Sequence, residues 1–164
     1  MLDLVKEIQF IPSSKIDPKE LPANLNTVLS SMRTILDNTK LDYILGPHIG
    51  IYQQIIMFRN FNDIPYFVAF NPRIIDTSPE KVMVKETDIR RPYVNVNVTR
   101  PEGVRCRITD LNGEVKTLTL VGKNARLMQI AYDLLNNIDF MTRLNYINKE
   151  QAKRQIKKYS RSKE

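Results

Sequence analysis

The sequence is short of the residues that most site chemistry needs. It has one histidine, His48, and one cysteine, Cys106. A single cysteine excludes a disulfide within the chain. A structural zinc site built from the Cys and His of one chain needs four such ligands and is excluded too. A Ser-His-Asp or Cys-His machine would have to run through His48 alone. No apolar run approaches the roughly 18–20 residues of a membrane helix, so no membrane partner is expected. The N-terminal stretch from Met1 to Glu7 is mixed and acidic. It has neither a signal-peptide core nor Arg-rich transit character, which points to the cytoplasm as the place of synthesis.

The 164 residues and 19.1 kDa suit one domain with a core that needs no staples. Hydrophobic residues make up 42% and charged residues 26%, a globular balance. The net charge of +7 is unevenly spread. From Lys149 to Glu164 there are seven basic and two acidic residues, so the tail holds +5 and the other 148 residues about +2.

Periodicity gives the order of elements. Leu25, Val28, Leu29, Met32, Ile35 and Leu36 recur at three- and four-residue spacing, which predicts a helix over about 21–38 with one buried face. Pro18 and Pro22 suit its approach and first turn. A short apolar stretch, Ile8–Ile11, precedes it. Strand-like runs follow at 54–58, 66–70, 81–85 and 93–99, punctuated by Asn71-Pro72 and Ser78-Pro79. Two alternating strands, 104–109 and 114–121, flank Asp110-Leu111-Asn112-Gly113, and Asn-Gly is a strong hairpin signal. A second helix is predicted from Lys123 or Asn124 to Ile138, with Leu127, Met128, Ile130, Ala131, Leu134, Leu135 and Ile138 on one wide face. A third is predicted to start at Asn148, which would cap it with Gln151 at the reciprocal position. Its apolar stripe is only Ala152, Ile156 and Tyr159. This order reads as an α+β fold. The expected division is a domain over 1–147 and a basic C-terminal helix or tail over 148–164.

Nearly the whole chain resembles the peptide deformylases, which remove the formyl group from the N-terminal methionine of new proteins. The likeness is carried by Gly46-Pro47-His48-Ile49-Gly50-Ile51-Tyr52-Gln53, by Phe70-Asn71-Pro72, by Val98-Thr99-Arg100-Pro101, by the Asn-Gly hairpin, and by Ala125-Arg126-Leu127-Met128-Gln129 with Leu135-Asn136 and Ile138. It implies a peptide-deformylase-like α+β fold with antiparallel sheets packed around a central helix and helices at both ends. It also implies a metal held by a Cys in a Glu-Gly-Cys-Leu-Ser motif and by two His in a His-Glu-x-x-x-His helix. Here those motifs read Glu86-Thr87-Asp88-Ile89-Arg90 and Ile130-Ala131-Tyr132-Asp133-Leu134. By the resemblance Asp88 stands at the thiolate, Ile130 and Leu134 at the imidazoles and Ala131 at the general base, while Gln53 and Glu86 keep the family's identities.

Aliphatic side chains offer no lone pair, so Ile130, Ala131 and Leu134 are expected to pack as hydrocarbon core. The chain is accordingly expected to be a pseudoenzyme with no metal and no cofactor. It would be a structural or protein-binding part of a large assembly, such as the tail or baseplate of a phage virion. The alternative is a ribosome-associated decoy or regulator of nascent-chain deformylation that docks through the basic helix. A relocated metal-hydrolase site through Asp88, His48 and Asp133 is the remote third reading. Binding candidates are Arg90 and Arg91, which the resemblance puts at a groove mouth, and Lys153, Arg154, Lys157 and Lys158 on the last helix. With no aromatic stacking platform beyond Tyr159, sequence-specific nucleic-acid recognition is not expected. His48 is expected to fill a loop position, and Cys106 to be a small buried residue.

Overall fold

The computed structural model describes residues 2–5, 9, 12–17, 19, 20, 23–88 and 91–164. Arg90, Pro18, Pro22 and most of the Ile8–Ile11 stretch, all singled out above, lie outside the described residues, and so does the side chain of Asp88. The elements run in the order α1 (Leu25–Asn38), β1 (Tyr43–Leu45), β2 (Ile55–Phe61), β3 (Ile64–Thr77), β4 (Lys81–Asp88), β5 (Arg91–Pro101), β6 (Gly103–Thr109), β7 (Val115–Val121), α2 (Gly122–Leu135) and α3 (Tyr146–Ser162). Short 3₁₀ turns cover Gly46–Ile49 and Phe140–Arg143.

Five strands form one antiparallel sheet in the order β1-β2-β3-β6-β7, and β4 pairs with β5 in a separate two-stranded ribbon. Alternate residues of a strand point to opposite faces, and here both faces are apolar. Leu45, Ile56, Phe58, Ala69, Cys106 and Ile108 meet Leu127, Met128, Ala131 and Leu135 of α2. Ile44, Ile55, Met57 and Phe70 meet Val28, Met32, Ile35 and Leu36 of α1. The sheet is thus sandwiched between the two helices predicted from 3.6-residue periodicity.

The ribbon has its own smaller core. Val94, Val96 and Val98 of β5 pack with Phe140 and with Ala152 and Ile156 of α3. Tyr93 stacks on Tyr159 at 3.8 Å between ring centroids. The Gln155 amide closes two bonds with the Asn95 backbone: Asn95 N donates to Oε1 at 2.8 Å, and Nε2 donates to the Asn95 carbonyl at 3.1 Å. The fold is the expected one. The start of α3 is not: Asn145 caps it by accepting from Asn148 N at 2.9 Å, and the helix begins at Tyr146. Tyr146 and Ile147 are exposed although apolar, so no stripe announced that first turn.

Turn chemistry follows the sequence closely. Asp110 Oδ1 accepts from Asn112 N and Glu114 N, each at 2.9 Å, and Gly113 sits at φ +79° in the β6–β7 hairpin. Asn71 takes φ +50° where the β3–β6 register shifts. Its side chain clamps Ile16, accepting from Ile16 N at 2.8 Å and donating to Ile16 O at 2.6 Å. That clamp holds the segment before α1 beside the loop that leads into β2.

Candidate functional site

The loop after β1 is fixed by close backbone approach. A Cβ on Gly46 would stand 2.5 Å from the Ile51 carbonyl oxygen and 2.7 Å from that of Gln53, so only glycine fits. The following turn places His48 inside the protein, 1% exposed. Its Nδ1 accepts from Leu45 N at 3.1 Å, and its ring lies 6.0 Å from that of Tyr43. His48 is therefore built into the loop as a scaffold residue. Gln53 follows with its backbone bridged to Ser14, and its half-buried side chain makes no hydrogen bond among the described residues.

Beside α2 the structure assembles a buried charge network. Arg100 Nε and Nη2 donate to the two Glu86 oxygens at 2.8 and 3.0 Å, and Nη1 donates to Asp133 Oδ2 at 2.9 Å. Arg143 approaches the same Asp133 carboxylate through Nε at 3.2 Å and Nη2 at 2.8 Å. Arg126 pairs with Glu86 at 2.6 Å. Its Nη2 also donates to Val84 O at 3.0 Å and Val98 O at 2.6 Å, which ties α2 to both strands of the ribbon. Burial alone would lower the Arg100 guanidinium, but the hydrogen bonds and charges of Glu86 and Asp133 outweigh it and hold its pKa above the ordinary value. For Arg126 burial wins: with repulsion from Arg100 it outweighs the attraction of Glu86, and the pKa is held below the ordinary value. Sequence reading kept Glu86 as scaffold and gave Asp133 only a remote role. It missed Arg100, Arg126 and Arg143, because the pairs join residues 10 to 40 positions apart.

The other expected site residues are not gathered in one place. Ala131 is fully buried against the sheet, but Ile130 and Leu134 are only half-buried. Ala131 lies in the core and Leu134 packs against it, as expected, and the expectation is corrected for Ile130 alone. With α2 laid down on Met128, Ala131 and Leu135, position 130 falls on its flank. Arg91 is not a spare cation either, since it forms a two-pronged pair with Asp139 at 3.0 and 2.8 Å. Cys106 lies fully buried in mid-strand, and burial pushes its thiol up to about 11. Lys153, Arg154, Lys157 and Lys158 are exposed on α3, and Lys153 pairs with Glu150 at 3.2 Å.

The arrangement matches solved deformylases over almost its full length. A Plasmodium falciparum peptide deformylase in complex with an inhibitor aligns with a TM-score of 0.81 at 23% identity, covering 97% of this chain and 99% of that one. A peptide deformylase from Synechococcus elongatus in complex with actinonin aligns at 0.76 and 26% identity, covering 92% and 83%. The architecture is therefore the deformylase fold. The sequence profile described as polypeptide deformylase matches residues 6–150, and the chain belongs to that family. Among named relatives, a peptide deformylase of Microchaete diplosiphon is 33% identical over 105 residues, 62% of this chain and 56% of its own length. A Rhizobium meliloti protein called peptide deformylase-like is 29% identical over 119 residues, 73% of this chain and 69% of its own. The chain thus spans little more than half the length of the first of these.

Family membership overturns the functional expectation drawn from the sequence. The chain matches an enzyme family, and the relatives named above are called peptide deformylase or peptide deformylase-like. The expectations of a non-enzyme, of a structural virion, tail or baseplate component, and of a metal-free pseudoenzyme are corrected on that ground. Four motif positions differ, whereas the family likeness runs through residues 6–150.

The metal that the family resemblance implies is a separate question. Ile130, Ala131 and Leu134 carry no donor atom, and the described residues hold no group of three or more His, Cys, Asp or Glu placed to bind a metal ion. Among the described residues, which leave out the side chain of Asp88, the donor set does not fit such a metal, and no chemical step is routed through one.

Proposed function

We propose that this protein acts on N-formylated peptide ends and that its reaction is removal of the formyl group. The observation that carries the reading is the deformylase family match over residues 6–150. Two features of the chain support it. The Gln53 amide, without a hydrogen bond among the described residues, is available to donate to the formyl oxygen. The partly buried Ile130, on the flank of α2, offers hydrocarbon to an apolar methionine side chain. The substrate would be a nascent chain, met in the cytoplasm at the ribosome. The exposed cations of α3 suit such docking, since phosphate-rich RNA attracts basic helices without regard to sequence.

Release of formate from formyl-methionyl tripeptides tests the reading. Release above the enzyme-free blank is expected, and Gln53→Ala should lower it by about a hundredfold, the low side of what one oxyanion donor supplies. Absence of both turnover and saturable binding of the formyl peptide would overturn it. Sedimentation with ribosomes at low salt is expected to be lost when Lys153, Lys157 and Lys158 are changed to Glu. Unchanged sedimentation would rule out docking through α3.

A further inference from the structure

A second cleft lies on another flank of α2, about a third of a turn round the helix from Ile130 and Leu134. It has a volume of about 370 Å³ and opens where the end of β3, the start of β4 and the end of β5 meet α2 and the Phe140–Arg143 turn. That is the lower end of the size range of small-molecule sites, roughly 300–1,000 Å³.

Its lining is cationic and rich in unspent donors. Lys81, Arg100 and Arg143 line it, and Asp133 is the one carboxylate that does so among the described residues. The adjoining network is itself unbalanced, because three guanidiniums, Arg100, Arg126 and Arg143, share the two carboxylates of Glu86 and Asp133. Lys81 adds a further cation with no ion pair among the described residues. Arg143 spends Nε and Nη2 on Asp133, which leaves Nη1 unspent. The Tyr132 hydroxyl and the hydroxyls of Thr77 and Thr99, all on the lining, have no hydrogen-bond partner among the described residues. Excess positive charge around neutral donors, gathered in a concave site, is completed by an oxyanion.

We infer that this cleft, lined by Lys81, Arg143, Tyr132, Thr77 and Thr99, is a binding site for a small oxyanion, the phosphate or carboxylate group of a low-molecular-weight ligand. It is distinct from the deformylation reading and does not depend on it. The Asp133 carboxylate orients Arg143 at the rim, and Lys81 closes the site from the first residue of β4. Arg100, buried and held by Glu86 and Asp133, adds to the positive potential without having to move.

The test is a titration of the full chain with inorganic phosphate, followed by backbone amide resonances at ionic strength held constant with sodium chloride. Saturable shifts at Thr77, Thr99, Tyr132 and Arg143 are expected, with half-saturation on the order of 1 mM. A parallel titration with acetate separates the two ligand chemistries, since the tighter of the two names the group the site prefers. Lys81 is exposed, so Lys81→Met keeps the fold. It should weaken binding about fivefold while Lys81→Arg restores it. Tyr132→Phe should weaken it further without changing the spectrum elsewhere. The inference is overturned if neither anion saturates below about 50 mM. It is equally overturned if chloride gives the same shifts, or if Lys81→Met binds as the parent does.

Discussion

The two sheets of this molecule are held in place by opposite means. The five-stranded sheet is gripped on both faces by hydrocarbon, with Phe58, Phe61, Phe70, Met32, Leu36 and Met128 fully buried. The β4–β5 ribbon has a short valine row against α3. Its other attachment is ionic, with Glu86 and Arg100 of the ribbon bound to Arg126 and Asp133 of α2. Apolar packing is tolerant of direction, whereas charge-assisted hydrogen bonds fix it. The sandwich therefore supplies stability, and the network sets how the ribbon sits against the flank of α2. Both the deformylase motif at Glu86 and the cationic cleft depend on that placement.

Substitution in each region should separate the two roles. Phe58→Ala removes a ring that stacks on Phe61 at 4.2 Å inside the sandwich, and should cost about 4 kcal/mol of unfolding free energy. Arg100→Met should cost about 3 kcal/mol, near the low end for breaking a buried ion pair, because Glu86 keeps Arg126 and Asp133 keeps Arg143. Denaturant unfolding gives both magnitudes. Amide exchange gives the location: Phe58→Ala should raise exchange throughout the chain, and Arg100→Met should raise it first in β4 and β5. If Arg100→Met loosens β2 and β3 as much as the ribbon, the division into two regions is wrong.

The next effect is confined to the sandwich and comes from pH. The Cys106 thiol is raised from about 9 to about 11 by burial. The folded state thus keeps a proton that the unfolded chain releases first. Stability from this group is complete below about pH 9 and is lost as pH rises toward about 11. The loss should be about 2 kcal/mol. Denaturant midpoints measured across that window should fall more in the parent than in Cys106→Ala, and parallel curves would refute the assignment.

Much of this comparison was legible before the structure. Period-two alternation at 104–109 and 114–121 and the Asn112-Gly113 turn indicate one edge of the large sheet, where β7 begins at Val115. Spacing on α1 and α2 announced the two helices that cover it. The ribbon's ionic attachment was not legible, since nothing local to Arg100 indicates that it meets Asp133 across 33 residues. The partial exposure of Ile130 was hidden for a related reason. Its spacing reads as one more turn of a buried stripe, and the face that α2 lays on the sheet, through Met128, Ala131 and Leu135, leaves it on the flank. Function was not legible there for the same reason, since the changes at Asp88, Ile130, Ala131 and Leu134 are local and the family likeness is spread over residues 6–150.

The smallest expected effect lies where α3 meets the ribbon. Gln155 bridges to the Asn95 backbone in both directions at 2.8 and 3.1 Å, but the site is exposed, so water replaces much of what is lost on truncation. Gln155→Ala should cost about 1 kcal/mol, the net worth of ordinary hydrogen bonds. Because β5 at Asn95 lies opposite Thr87 of β4, the freed backbone should exchange its amide hydrogen faster at Asn95 while Val96 and Val98 stay protected by Ala152 and Ile156. A local rise of this kind means that apolar packing holds α3 on the ribbon and the glutamine sets only its register. Rapid exchange of Val96 and Val98 as well would mean that α3 leaves the ribbon without Gln155. The ribbon would then be attached by polar contacts on both of its flanks.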